Sequence, residues 1–183
     1  NVTIYHTNVG WMTPEETSVL VDREWNQDRL IQLSAAGDAD LHYELSPGVL
    51  GYWVDPIATA NQAYAVARSV DPLRDILSAL RSESQLILPV LYFDEAAVRG
   101  TLEALAAEVD LPAINASLAF QDGTWVALPG QAGYALDIER TLNTLSDDAQ
   151  TNLITSSATL FFHSVPPDIT DLTTVLDQID DIL

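Results

Sequence analysis

The sequence predicts an α+β fold built from tandem repeats of strand–helix–β-hairpin–helix, with small antiparallel or mixed sheets and helices packed on one face. Three observations predict it. Short strand-like runs alternate with capped helical runs along the whole chain. Hairpin signals recur at Gly37-Asp38 and Asp122-Gly123. A nine-residue pattern also occurs twice. Pro47-Gly48-Val49-Leu50-Gly51-Tyr52-Trp53-Val54-Asp55 lies over Pro129-Gly130-Gln131-Ala132-Gly133-Tyr134-Ala135-Leu136-Asp137, an offset of 133 − 51 = 82. The same offset carries Thr59 onto Thr141 and Asn61 onto Asn143.

Taken in order, Val2–Thr7 reads as a strand. Thr13-Pro14-Glu15-Glu16 opens a helix, with Thr13 as cap, Pro14 at the first helical position and Glu16 closing a capping box; the helix runs to about Trp25 or Asn26. Arg29–Ala36 and Ala39–Ser46 form a hairpin that Pro47-Gly48 ends. Asp55-Pro56 starts a helix with Ile57, Ala60, Tyr64 and Ala67 on one stripe, and Asp71-Pro72 starts another with Leu73, Ile76, Leu77 and Leu80. The order then begins again. Leu86–Phe93 is a strand broken by Pro89. Asp94 caps a helix bearing Val98, Leu102, Leu105 and Val109. Ala116–Phe120 and Thr124–Leu128 make a hairpin, and Asp137 starts a helix with Ile138, Leu142 and Leu145. Strand Ala158–Ser164 and a helix from Asp168 close the chain. The units implied are residues 1–82, residues 83–157, and 158–183 as the start of a third unit or an extension.

Composition narrows function. The chain has 183 residues, enough for one domain or two small ones, and 48% are hydrophobic, so a core can form. The 27 acidic residues against 7 basic ones give a net charge of −20. All basic residues are arginines: Arg23, Arg29, Arg68, Arg74, Arg81, Arg99 and Arg140. Such a surface repels phosphate, which argues against nucleic acid or an anionic bilayer as ligand. No apolar run reaches the roughly 20 residues a spanning helix needs. The chain opens at Asn1 without Met or a leader, as expected of a mature chain or a piece of a longer one.

Chemistry-bearing patterns are scarce. With no cysteine there is no disulfide, thiolate nucleophile or zinc–sulfur site. His6, His42 and His163 stand apart from one another, so neither a metal nor another cofactor is expected. No nucleophile elbow or phosphate loop occurs, and the acidic pairs Asp38/Asp40, Asp147/Asp148 and Asp180/Asp181 lack a calcium-loop pattern. No catalytic residue is assigned, and the chain is expected not to be an enzyme. Asn1-Val2-Thr3 and Asn115-Ala116-Ser117 match the glycosylation acceptor pattern.

Within the repeated motif a structural account covers every member. Gly51 and Gly133 take backbone conformations closed to other residues, Tyr52 and Tyr134 pack across the hairpin, and Asp55 and Asp137 cap helices. The functional alternative is a groove floored by the two tyrosines. Candidate sugar-stacking residues are Trp11, Tyr52, Trp53, Trp125 and Tyr134, with Trp11 and Trp125 expected at the surface. Trp53 has Ala135 as its counterpart in the other copy, so it is not essential to the shared fold and is a candidate for the interface between copies.

These residues resemble a family. The stretch from about Leu86 to Leu145 is similar to the peptidoglycan-binding domain found ahead of catalytic modules in some bacterial L,D-transpeptidases and in VanW-like proteins. The likeness rests on the helix Asp94–Val109, on Leu111-Pro112-Ala113-Ile114-Asn115-Ala116, on Phe120 to Trp125 with its Asp-Gly tip, and on Gly133-Tyr134-Ala135-Leu136-Asp137. The first copy, with Leu50–Asp55 and Ala63–Arg68, looks like the module that commonly precedes it. The resemblance implies a secreted or anchored, non-catalytic cell-envelope module in tandem copies. It would bind peptidoglycan or another wall glycan, or space a catalytic domain of the same polypeptide. A transpeptidase's catalytic Cys motif is absent, so no catalytic residue carries over. The alternative is an acidic domain that recognises a basic protein partner without any glycan.

Overall fold

The computed structural model describes residues 2–36, 38–67 and 85–180. The helix expected from Asp71 lies outside these residues, as do Gly37, Arg68, Arg74 and Arg81. The fold is α+β, with short strands gathered into small sheets around helices.

Strands β1 (Val2–Ile4) and β2 (Thr7–Asn8) form a tight antiparallel pair where the sequence suggests one strand, because Tyr5 turns the chain with φ of 53°. Helix α1 (Pro14–Val21) begins at the expected capping box: the Glu16 amide donates to Thr13 Oγ1 (3.2 Å), and the Thr13 amide donates to Glu16 Oε2 (2.9 Å). It continues as a π-helical stretch, Asp22–Gln27, which places Trp25 in the core. Hairpin β3 (Ile31–Ala35) and β4 (Asp38–Leu45) follows, then β5 (Tyr52–Val54) and α2 (Pro56–Ala67).

The predicted strand Leu86–Phe93 divides at Pro89 into β6 (Gln85–Ile87) and β7 (Leu91–Phe93), which join different sheets. Asp94 caps α3 (Glu95–Val109), accepting from the Ala96 and Ala97 amides. Next come hairpin β8 (Ser117–Gln121) and β9 (Thr124–Leu128), β10 (Gly133–Leu136), α4 (Ile138–Asp147) and α5 (Ala149–Thr155). The last predicted strand also divides, into β11 (Ser157–Leu160) and β12 (Phe162–Val165). The final helix, α6 (Thr173–Asp180), starts later than Asp168: Pro166 and Pro167 precede it, and the Thr173 amide donates to Asp171 Oδ1 (3.0 Å) at its start.

Sheet order ties distant parts of the chain together. β1 carries β2 on one edge and, in parallel, β6 on the other. β3 carries β4 on one edge and, in parallel, β11 on the other. β5 pairs with β7, β10 with β12 and, among the described residues, β8 with β9 alone. One buried cluster joins residues from both repeated halves, among them Ile4, Trp25, Leu33, Val54, Leu102, Leu142, Leu153 and Leu160. One core therefore runs across position 82/83.

Candidate functional site

The repeated motif builds two corners where a short strand turns into a helix. At the first, Asp55 Oδ1 accepts from the Ala58 amide (2.8 Å), the Asp55 amide donates to the Val90 carbonyl (2.8 Å), and the Val90 amide donates to Thr59 Oγ1 (2.9 Å). At the second, Asp137 Oδ1 accepts from the Arg140 amide (3.0 Å), the Asp137 amide donates to the Phe161 carbonyl (2.8 Å), and the Phe161 amide donates to Thr141 Oγ1 (3.1 Å). Both threonines are fully buried. Each corner strand is also tied to the end of the preceding helical run. The Val54 amide donates to Asn26 Oδ1 (2.9 Å), and the Leu136 amide donates to Asp110 Oδ1 (2.8 Å). Both aspartate caps stand as expected.

The glycines differ from expectation in one respect. Gly51 has φ of +67°, and a Cβ there would run into the Asp94 carbonyl and Val98. Gly133 has no positive φ. It is glycine because a Cβ would overlap the Leu111 carbonyl oxygen, the Ala113 amide and Pro112. Close approach of two backbone segments, rather than an unusual dihedral, excludes a side chain there.

The five aromatic candidates separate. Tyr52 is 1% exposed, so its ring cannot stack on a ligand, and a groove floored by both tyrosines does not form. Its hydroxyl donates to the Leu145 carbonyl (2.8 Å) and accepts from Asn152 Nδ2 (3.2 Å). Burial pushes this phenol up to about 12. Tyr134 is 46% exposed, its ring edge-on to Phe162 at 5.8 Å. Trp53 is 48% exposed and lies beside Tyr92, its cross-strand partner, with ring centres 5.7 Å apart. Ala135, the counterpart of Trp53, faces exposed His163. Trp53 is thus an outward residue of the β5–β7 ribbon.

Trp125 pairs edge-on with Phe120 across β8–β9 at 5.3 Å, both open to solvent. Trp11 is almost wholly exposed, at the rim of a cleft of about 310 Å³ lined by Met12, Ala60, Ala63 and Tyr64. Among the described residues no ring contact links one exposed pair to another. The exposed aromatics form separate platforms, and the two that are absent from the five sequence candidates are Tyr92 and Phe120. The signal was available in each strand's alternation, since Tyr92 lies between the inward-leaning Leu91 and Phe93.

The cations are all engaged among the described residues. Arg23 pairs with Asp28 (3.2 Å), and Arg99 with Glu95 (3.6 Å) and Glu139. Arg140 lies over the Phe161 ring (4.1 Å). Arg29 lies over Trp25 (4.0 Å) and donates to the Leu153 carbonyl (2.6 Å), capping the end of α5. Among the described residues no three His, Asp or Glu side chains are placed to hold a metal, and no helix is long and apolar enough to cross a membrane.

No curated protein and no solved structure matches the chain. A family does: residues 43–153 match the model of the family described as "Putative peptidoglycan binding domain". The matched segment begins within β4 and ends within α5, so it contains both corners and the Trp53–Tyr92 and Trp125–Phe120 pairs. It spans more than half of the chain, which belongs to this peptidoglycan-binding domain family.

Proposed function

We propose that the chain is a non-catalytic cell-envelope module that holds wall glycan through exposed aromatic pairs, as part of a larger secreted or anchored wall-active protein. The observation that supports this best is the Trp53–Tyr92 pair inside the family-matched segment. Two half-exposed rings side by side on one two-stranded ribbon offer a rigid, apolar surface with polar edges. A pyranose ring presents a face of C–H groups that can lie on such a surface while its hydroxyls reach the polar rim. The net charge of −20 and the engaged arginines work against anionic wall polymers, so the contact has to be uncharged.

The test is sedimentation with purified insoluble peptidoglycan. Retention that persists at high salt and falls about tenfold in Trp53→Ala, equal to ~1.4 kcal/mol, is the expected result. The Trp11→Ala variant, altered at a separate platform, serves as the reference. Absence of retention for the unaltered chain overturns binding and leaves the charge-favoured role of a spacer for a catalytic domain in the same polypeptide.

A further inference from the structure

The hairpin β8–β9 differs from the other two hairpins in what lies on its first strand. β1 receives β6 in parallel, and β3 receives β11 in parallel, whereas among the described residues no strand lies along the outer edge of β8. The correspondence can be followed bond by bond. Asn26 and Asp110 hold equivalent positions at an offset of 110 − 26 = 84, which carries Gln32 onto Ala116. The Gln32 amide donates outward to the Ser156 carbonyl (2.9 Å), and the Ala36 amide to the Leu160 carbonyl (2.9 Å). The Ala116 amide likewise donates outward, to the Ile169 carbonyl (2.8 Å). The irregular segment that supplies Ile169 also bonds Gly130 and then leads into α6, so it covers only the base of the hairpin.

Backbone groups alternate between the two edges of a strand. With Ala116 facing outward, the amides of Leu118 and Phe120 face outward too. They mark an open edge beside an apolar face made by Leu118, Phe120 and Trp125. From Asp110 to Asp137 the chain has no basic residue, and Asp122, Asp168 and Asp171 add negative charge around the hairpin. An edge with free amides, an apolar face and an acidic surround is what an added strand with basic flanks requires.

We propose that the outer edge of β8 takes up an extended segment of a partner protein as a parallel strand, alternating apolar and polar side chains between basic ends. The proposal is independent of glycan contact at Trp53. The probe is a synthetic peptide alternating valine and threonine between lysine ends, added to the isotope-labelled full chain. Amide exchange at Leu118 and Phe120 should slow at least about tenfold, with no such change at Gln32 or Ala36, whose amides are already bonded. The same peptide N-methylated at alternate residues, or with glutamates at its ends, should not protect them. Leu118→Pro removes one outward donor and should abolish protection; where it disturbs the hairpin, the N-methylated peptide supplies the same test. No protection at millimolar peptide overturns the proposal. So does equal protection by the glutamate-ended peptide, by peptidoglycan fragments, or by raising the chain's own concentration without peptide.

Discussion

The corner at Gly51–Thr59 and the corner at Gly133–Thr141 share a backbone and differ in what they face. Each has an aspartate cap, a buried threonine receiving a strand amide, and a polar residue from an earlier helical run holding the strand. Yet Tyr52 lies inside with its hydroxyl bonded, while Tyr134, at the matching place, lies half in solvent. The next position reverses the contrast in size, Trp53 outward in one corner and Ala135 in the other. Polar anchors that bond backbone cannot change without leaving a buried amide unpaired. A ring can change role whenever the surface around it changes.

The glycines sharpen the comparison most. Gly133→Ala places a methyl against fixed backbone on three sides and should cost more than about 3 kcal/mol. Gly51→Ala adds an unfavourable dihedral and meets the Asp94 carbonyl, but its other close neighbour, Val98, is a side chain that can yield. Thermal unfolding should show Gly133→Ala as the more damaging; the reverse order would mean that conformation rather than close approach governs both.

The tyrosines come next. Tyr52→Phe leaves the Leu145 carbonyl and the Asn152 amide without their partner and should cost ~1–3 kcal/mol by urea unfolding, against little change for Tyr134→Phe. Alkali should discriminate as well. The Tyr52 phenol is raised from 10.0 to about 12, so its neutral form is favoured by folding. The associated stability is complete below pH 10 and is lost as pH rises towards 12. Tyr52→Phe should flatten this part of the stability profile, and an unchanged alkaline slope would contradict the burial.

The smallest effect is the most diagnostic of equivalence. Thr59→Val and Thr141→Val each strand one backbone amide, of Val90 or Phe161, and should cost about 1 kcal/mol apiece. Equal losses in denaturant unfolding support equivalent corners. A loss at one only would show that the shared hydrogen bonds carry different weight.

The sequence made the anchors legible because they are local. Thr13, Asp94 and Asp137 cap from within three residues of the amides they bind, and a Pro-Gly step announces each corner. Thr59 and Thr141 were visible as a matched pair, but their bonds reach Val90 and Phe161, far along the chain, and nothing local records that. β5 and β10 went unread as strands because three or four residues following Pro-Gly carry too little alternation. Parallel pairing of β3 with β11 was equally invisible, since parallel partners need no turn between them. For the candidate site, Trp11 and Trp125 stand outside as expected, Trp53 stands outside where an interface between copies is expected, and Tyr52 lies in the core, bonded to Asn152, 100 residues away.

The pairing of Gln32 with Ser157 has a consequence for how the protein is made. The sheet that buries Leu33 stays open until Leu160 is available, so the early hairpin waits for nearly the whole chain. A fragment trimmed to the family borders, 43–153, would lack β3 and β11 together and strip one wall from the core that Leu142 and Leu153 help fill. The segment by which the family is recognised therefore holds only part of this chain's core.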